Sequence, residues 1–453
     1  MNVYSNILDM VGQTPMLEVT RIDTGLCRLF LKLELMNPGG SIKDRIGISM
    51  VEEAEKRGDI SPGDTIVEAT AGNTGLGLAL VAAQKGYELV IVLPDKMSQE
   101  KIFNLRAMGA EVILTRSDVG RGHPEYYQDL GKSIAKERGA YFINQFGNPD
   151  NPLAHETGTA PEILEQMSGD LDAIVLGVGS SGTVTGISNY LREHAPGVDL
   201  ILADPEGSIL TGYINNGEIG ESGSWLVEGI GEDFIPDIAD FDKVRKAYAI
   251  PDAESFATAR ELLRREGLLA GSSSGTLLAA ALKYCREQTE PKRVVTFACD
   301  TGNKYLSKLY NDFWLEDQGF ITREQHGDLR DLIGRPHSEH ATITVGPTDV
   351  VTTAHNRLRN AGFSQLPVMD NGKLIGVITE DAIIHFVYGH PDLLDAPVRD
   401  AMESAFIKLD KTESLNNLVA MLRVQPYAAI MDGDDFLGLI TRSDVLNYLR
   451  RDA

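Results

Sequence analysis

One alternation constrains the fold of this chain more than any other feature. From residue 29 to about 313, short β-rich apolar runs alternate with amphipathic helical stretches. Strands are read at 65–69, 89–93, 111–114, 173–177, 200–203 and 293–298, with helices at 75–85, 101–108 and 183–192. Strands that are apolar along nearly their whole length are buried on both faces, and intervening helices make their connections parallel. The pattern predicts an α/β fold of parallel sheets flanked by helices. Ligands in such sheets sit beyond the carboxyl ends of the strands, so the loops there carry the functional reading.

Four loops stand out. In Asn37-Pro38-Gly39-Gly40-Ser41-Ile42-Lys43-Asp44, two glycines are expected to turn with positive φ, Ser41 to cap a helix, and Asp44 to complete a capping box. The helix continues through Ile46, Met50, Val51 and Ala54, with Gly58 as its stop. Lys43 falls in the first turn, where the helix dipole favours a neutral amine, a nucleophile able to form a Schiff base with a carbonyl. Lysines in first turns are more often solvated charges, so the other loops decide. Thr70-Ala71-Gly72-Asn73-Thr74-Gly75 offers helix-start amides to a carboxylate and a side-chain amide to a ring oxygen. Gly177-Val178-Gly179-Ser180-Ser181-Gly182-Thr183 suits a phosphate monoester and lacks the lysine of a nucleotide-triphosphate loop. Ala270-Gly271-Ser272-Ser273-Ser274-Gly275 starts an apolar helix. Each of the last three also reads as an ordinary turn and cap. His155 reads as a satisfied structural histidine.

The chain has 453 residues, a length that suggests roughly three domains. Its texture changes near residue 320. A charged stretch at 319–336 reads as a linker, and an internal repeat follows. Leu366-Pro367-Val368-Met369-Asp370 leads to Leu374-Ile375-Gly376-Val377-Ile378-Thr379, and Ala428-Ala429-Ile430-Met431-Asp432 leads to Phe436-Leu437-Gly438-Leu439-Ile440-Thr441. Each is a hairpin between helices, so two β-α-β-β-α units make an α+β module. The expected division is 1–318 catalytic, 319–336 linker, 337–395 first repeat and 396–453 second repeat. A formal net charge of -24 argues against nucleic acid and anionic membrane as partners. Three cysteines far apart in sequence suit a reducing compartment. The polar N-terminus is no secretory signal and no apolar run approaches a membrane span, so a cytoplasmic location is expected.

Together these residues resemble the fold type II pyridoxal-phosphate enzymes of the cystathionine β-synthase and cysteine synthase family. The resemblance runs from residue 6 to about 320. It rests on Gly12-Gln13-Thr14-Pro15, on 37–44, 72–75, 151–155 and 179–183, on Asp204-Pro205-Glu206-Gly207-Ser208 and on Glu228-Gly229-Ile230-Gly231. The tail resembles a pair of CBS domains, which sense adenosyl ligands. Carried over by position, the resemblance implies that Lys43 holds pyridoxal 5'-phosphate and then removes the substrate Cα proton. Gly179, Ser180, Ser181, Gly182 and Thr183 would bind the cofactor phosphate, Asn73 the ring oxygen, and Ser273 the ring nitrogen. Thr70, Ala71, Gly72, Thr74 and Gln145 would hold the substrate carboxylate, and Thr441 and Asp444 an adenosyl effector. In the first tail repeat Asp381 stands one position early, so at most one strong effector site is expected.

The implied reaction is β-replacement: L-serine and L-homocysteine give L-cystathionine and water, with hydrogen sulfide release from cysteine as a further activity. Two alternatives stay open. One is a cysteine synthase using O-acetylserine and sulfide; the other is an adenosyl sensor with an inactive catalytic domain. The chain departs from the family pattern at Ala71, Phe146, Ser181 and Glu232. Ala71 and Phe146 leave serine against O-acetylserine open, Ser181 replaces a glycine, and Glu232 is expected to pair with the distal amino group of homocysteine. No haem-binding extension precedes Asn6, so haem is not expected. No metal site is read, and a homodimer is the expected assembly.

Overall fold

Strand pairing sorts the α/β part into two sheets. The strands are β1 (Met16–Glu18), β2 (Arg28–Lys32), β3 (Thr65–Ala69), β4 (Glu88–Pro94), β5 (Glu111–Thr115), β6 (Tyr141–Phe142), β7 (Ala173–Gly177), β8 (Asp199–Pro205), β9 (Val244–Ile250) and β10 (Arg293–Phe297). One sheet has the order β1-β2-β10-β7-β8-β9 and the other β5-β4-β3-β6. Every pairing is parallel except β1 with β2. The computed structural model describes residues 3–451 apart from Ala71, Lys96 and Ser98. The chain divides into two compact units, 1–310 and 311–453. No helix is long and apolar enough to cross a membrane among the described residues.

The helix Lys43–Arg57 buries Ile46, Met50, Val51 and Ala54 and stops at Gly58, which adopts φ 78°. Burying each large apolar side chain contributes roughly 1.5–3 kcal/mol. This helix crosses Asn73–Lys85 glycine on glycine: a Cβ at Gly47 would lie 2.8 Å from the Gly77 carbonyl carbon, and one at Gly77 would lie 2.6 Å from the Lys43 carbonyl oxygen. The close approach locks the two functional helix starts to each other. A second clamp is a buried ionic cluster. Arg45 makes two bonds to Glu34 at 2.8 Å and two to Glu162 at 2.7 Å, while Lys32 reaches Glu162 at 2.7 Å. Glu162 also accepts from the Gln13 amide, and burial opposes the cluster's pull, which holds its carboxyl down at about 2.

The second unit contains the two repeats. In the first, Val345 bridges Val368, the helix Val351–Ala361 follows, and β11 (Gln365–Asp370) pairs antiparallel with β12 (Lys373–Thr379) before the helix Glu380–Val387. In the second, β13 (Lys408–Asp410), the helix Leu415–Met421, β14 (Tyr427–Asp432) and β15 (Asp435–Thr441) precede the helix Arg442–Arg451. The first strand of repeat one is thus reduced to a single bridge. Leu329, Leu332 and Ile333, in the stretch read as a linker, pack into the core of the second repeat.

Candidate functional site

The Lys43 turn is strapped to the segment that leaves β10. Ile42 N donates to Cys299 O at 2.9 Å, Thr301 N to Gly40 O at 3.0 Å, and Ser41 bridges Asp300. The capping box expected here does not form. Ile42 is the helix cap, and the Asp44 carboxylate reaches past Ser41 to the Gly39 amide at 2.5 Å. Gly40 alone has positive φ, at 73°; Gly39 is needed because a Cβ there would meet that carboxylate at 2.4 Å. Lys43 is partly exposed, on the cavity it lines. Burial pushes its amine down from the usual lysine range, against the opposing pull of Cys299, Glu232 and Asp300. Desolvation, not the helix dipole alone, therefore favours the neutral amine.

A cavity of about 380 Å³ opens at the carboxyl ends of the strands. Lys43, Thr70, Gly72, Asn73, Thr74, Gln145, Gly179, Ser180, Ser181, Thr183, Glu232 and Ser273 all line it. Ala71 lies outside the described residues. Thr74 Oγ1 donates to Gln145 Oε1 at 2.7 Å, and the Gln145 amide nitrogen donates to Glu68 at 3.4 Å. Thr70 Oγ1 accepts from the Gly72 amide at 3.2 Å. Gly72 has φ 132°, and a Cβ there would meet Lys101 Cδ at 2.6 Å. Asn73 Nδ2 donates to Asp300 Oδ2 at 2.8 Å, and Lys304 Nζ donates to Asn73 Oδ1 at 3.0 Å.

The loop after β7 turns through Ser181 at φ 65° and starts the helix Gly182–His194. The amides of residues 179–183 donate to no acceptor among the described residues, which leaves an anion cradle at a helix N-terminus. Gly182 does not line the cavity. It is glycine because a Cβ would lie 1.9 Å from Asn151 Oδ1, and Asn151 in turn donates to Ser180 Oγ at 2.9 Å. His155 is buried, pairing through Nδ1 with Thr159 at 2.9 Å and through Nε2 with Thr183 at 3.3 Å. The structural histidine thus buttresses the cradle.

The three consecutive serines have three different surroundings. Ser272 Oγ accepts from the Glu228 amide at 3.1 Å and Ser274 Oγ from the Cys299 amide at 2.9 Å. Ser273 lines the cavity and shares a side-chain hydrogen bond with Cys299, whose thiol burial pushes up to about 12. Sequence reasoning missed Cys299, Asp300 and Lys304; the available signal was their place just after the last buried strand. Glu232 lines the same cavity. Its carboxyl has no hydrogen-bond partner among the described residues; burial and Asp233 push it well above the usual range while Lys43 pulls it back.

Within the second unit, a cavity of about 810 Å³ is lined by Thr379, Asp381, Thr441 and Asp444 among others. Asp444 accepts from Thr441 N at 2.7 Å and from its hydroxyl at 2.5 Å. Thr441 Oγ1 accepts from the Asp444 amide at 3.4 Å, and in the first repeat Thr379 likewise accepts from the Ala382 amide at 3.0 Å; Asp381 there is largely exposed and lies 3.6 Å from His385.

A family model described as pyridoxal-phosphate dependent enzyme matches residues 7–300, and the CBS domain model matches 338–389 and 398–451. A cystathionine β-synthase of Dictyostelium discoideum is 37% identical over 99% of this chain and 93% of its own length. The crystal structure of an O-acetylserine dependent cystathionine β-synthase from Helicobacter pylori is 39% identical, with a TM-score of 0.63, over 68% of this chain and 99% of that one. A hydrogen sulfide-producing enzyme from Fusobacterium nucleatum is 36% identical, also with a TM-score of 0.63, over 67% of this chain and all of that one. The chain belongs to the cystathionine β-synthase family of pyridoxal-phosphate-dependent enzymes, with a tandem pair of CBS domains.

Proposed function

We propose that this chain condenses L-serine with L-homocysteine to L-cystathionine and water by β-replacement, and that the strand-end cavity is its active site. The observation that carries the reading is convergence: a desolvated Lys43 amine, an oriented Asn73 amide, the Ser273 hydroxyl and an open amide cradle share one cavity. The residues fit pyridoxal phosphate. The free amides of 179–183 suit its phosphate, and Lys43 suits its carbonyl carbon. When bound, the cofactor supplies an electron sink for a carbanion at the substrate Cα. Lys43 Nζ takes the Cα proton. Gln145 and the 70–74 loop hold the substrate carboxylate. Ser273, which lines the cavity, would offer the ring nitrogen a neutral hydroxyl in place of a carboxylate and so would leave that nitrogen largely unprotonated. Glu232, whose carboxyl has no hydrogen-bond partner among the described residues, receives the homocysteine ammonium.

The finer readings rest on the same features. Asp444 and Thr441 hold an adenosyl ligand in the tail, and calorimetry with S-adenosylmethionine, AMP and ATP tests this; no heat with any of them would sink it. The protein works in the cytoplasm, consistent with three free thiols, and as a homodimer. The O-acetylserine dependence named for the similar Helicobacter pylori enzyme favours a second reading of the first substrate alone. Product analysis with serine plus homocysteine, O-acetylserine plus homocysteine, and O-acetylserine plus sulfide decides between them. Loss of visible cofactor absorption in Lys43→Ala is required by the proposal. Glu232→Gln is expected to raise KM for homocysteine about tenfold with little change for serine; an unchanged homocysteine KM would remove Glu232 from the site.

A further inference from the structure

A primary amide can offer a ligand either its oxygen or its N–H group, and only its neighbours decide which. The neighbours of Asn73 fix the choice, and Tyr305, which also shares a side-chain hydrogen bond with Asn73 as its acceptor, agrees with the same orientation. Asp300 Oδ2 takes one Nδ2 hydrogen at 2.8 Å and also accepts from Tyr305 OH at 2.6 Å. Lys304 Nζ donates to Asn73 Oδ1 at 3.0 Å, to Gly39 O at 3.1 Å and to Gly40 O at 3.4 Å. These three partners are oxygens acting as acceptors, so Lys304 faces Asn73 only as a donor. Flipping the amide would set N–H against ammonium and oxygen against carboxylate. Lys304 is 4% exposed and Asp300 fully buried, so water cannot compensate a flip. The same ammonium also ties the Gly39-Gly40 turn, which leads into Lys43, to the start of the helix Asn73–Lys85.

We infer that Lys304, with Asp300, is a positioning residue: it locks the Asn73 amide so that the cavity meets an N–H donor, and thereby selects the unprotonated form of the cofactor's ring oxygen. The inference rests on the proposed placement of Asn73 at that oxygen. A neutral ring hydroxyl can still accept from the amide, but an anionic oxygen accepts far more strongly. The lock therefore biases the bound cofactor toward the form that absorbs in the visible over the near-ultraviolet form.

The test compares Lys304→Met and Lys304→Arg with wild type as cofactor-loaded full-length protein. It reads the visible to near-ultraviolet absorption ratio and the cofactor dissociation constant. Lys304→Met is expected to lower the ratio at least twofold and weaken retention about tenfold, the loss of one charge-assisted hydrogen bond. Lys304→Arg, which still donates to oxygens, restores the ratio. A wild-type ratio in Lys304→Met, with borohydride trapping showing the cofactor still on Lys43, overturns the inference. Wild-type protein that traps no cofactor on Lys43 overturns the proposed active site instead. Should Lys304→Met not fold, Asn73→Asp removes the donor directly and must lower the same ratio; an unchanged ratio there is equally fatal.

Discussion

Glu68 sits on β3, two residues before Thr70, and is 1% exposed. It accepts long hydrogen bonds from Gln145, at 3.4 Å from both the backbone and the side-chain nitrogen, and the backbone amides of Asn144 and Ala69 also favour its charged form. Burial is the largest influence on its carboxyl and raises it from 4.5 to about 8. The folded protein therefore keeps a proton that the unfolded chain has released by pH 5. A carboxyl raised in the folded state stabilises it fully only below the unfolded value, and that contribution drains away as pH rises toward the folded value. Each unit of difference corresponds to about 1.4 kcal/mol, so by pH 7 roughly 3 kcal/mol has been lost relative to acid conditions. Glu68→Gln is neutral in both states and escapes this loss. Urea unfolding of both proteins at pH 5.5, 6.5 and 7.5 should show the variant gaining on wild type by about 1.4 kcal/mol per unit, levelling off above pH 8. Any packing cost of the amide is a constant offset and leaves the slope untouched. Stability curves that run parallel across this range would refute the reasoning, because they would mean the carboxyl ionises in the fold as it does in the unfolded chain.

Three further outcomes follow from the same geometry. Gly77→Ala puts a methyl 2.6 Å from the Lys43 carbonyl, where only backbone can yield; it should cost about 1–3 kcal/mol in thermal unfolding and reduce cofactor loading. Arg45→Met leaves Glu34 and Glu162 facing each other without their shared cation, and should destabilise the first unit by about 3–5 kcal/mol in urea, whereas a surface pair such as Arg116 with Asp118 should read below about 1 kcal/mol. Ser181→Gly relieves a non-glycine residue at φ 65° and should stabilise by about 1 kcal/mol, with cofactor retention equal to or better than wild type; a loss of retention would show that the Ser181 hydroxyl itself holds the phosphate.

What was legible in the sequence was whatever one segment settles by itself. The run 173–177 is buried along β7 and bounded by glycine, so its strand limits were found to the residue. Strands at 89–93 and 200–203 extend by only one or two residues at each end, β4 and β8. Lys43 and Asn73 could be nominated because each begins a helix, and Ser273 because it lies in the first turn of one; the structure brings the three to one cavity. The capping box failed for the opposite reason. Asp44 is committed to the Gly39 amide, a bond that depends on how the turn docks against residues 299–301, and nothing local records that docking. The same holds for the orientation of Asn73. Its partners Asp300 and Lys304 lie 227 and 231 residues away in sequence, and neither carries a motif. A pattern can nominate the side chain that meets a ligand, but which of its atoms does so is set by charges brought from the far end of the chain. Here that difference has chemical content, because an amide offering N–H and an amide offering oxygen would favour opposite protonation states of the group they face.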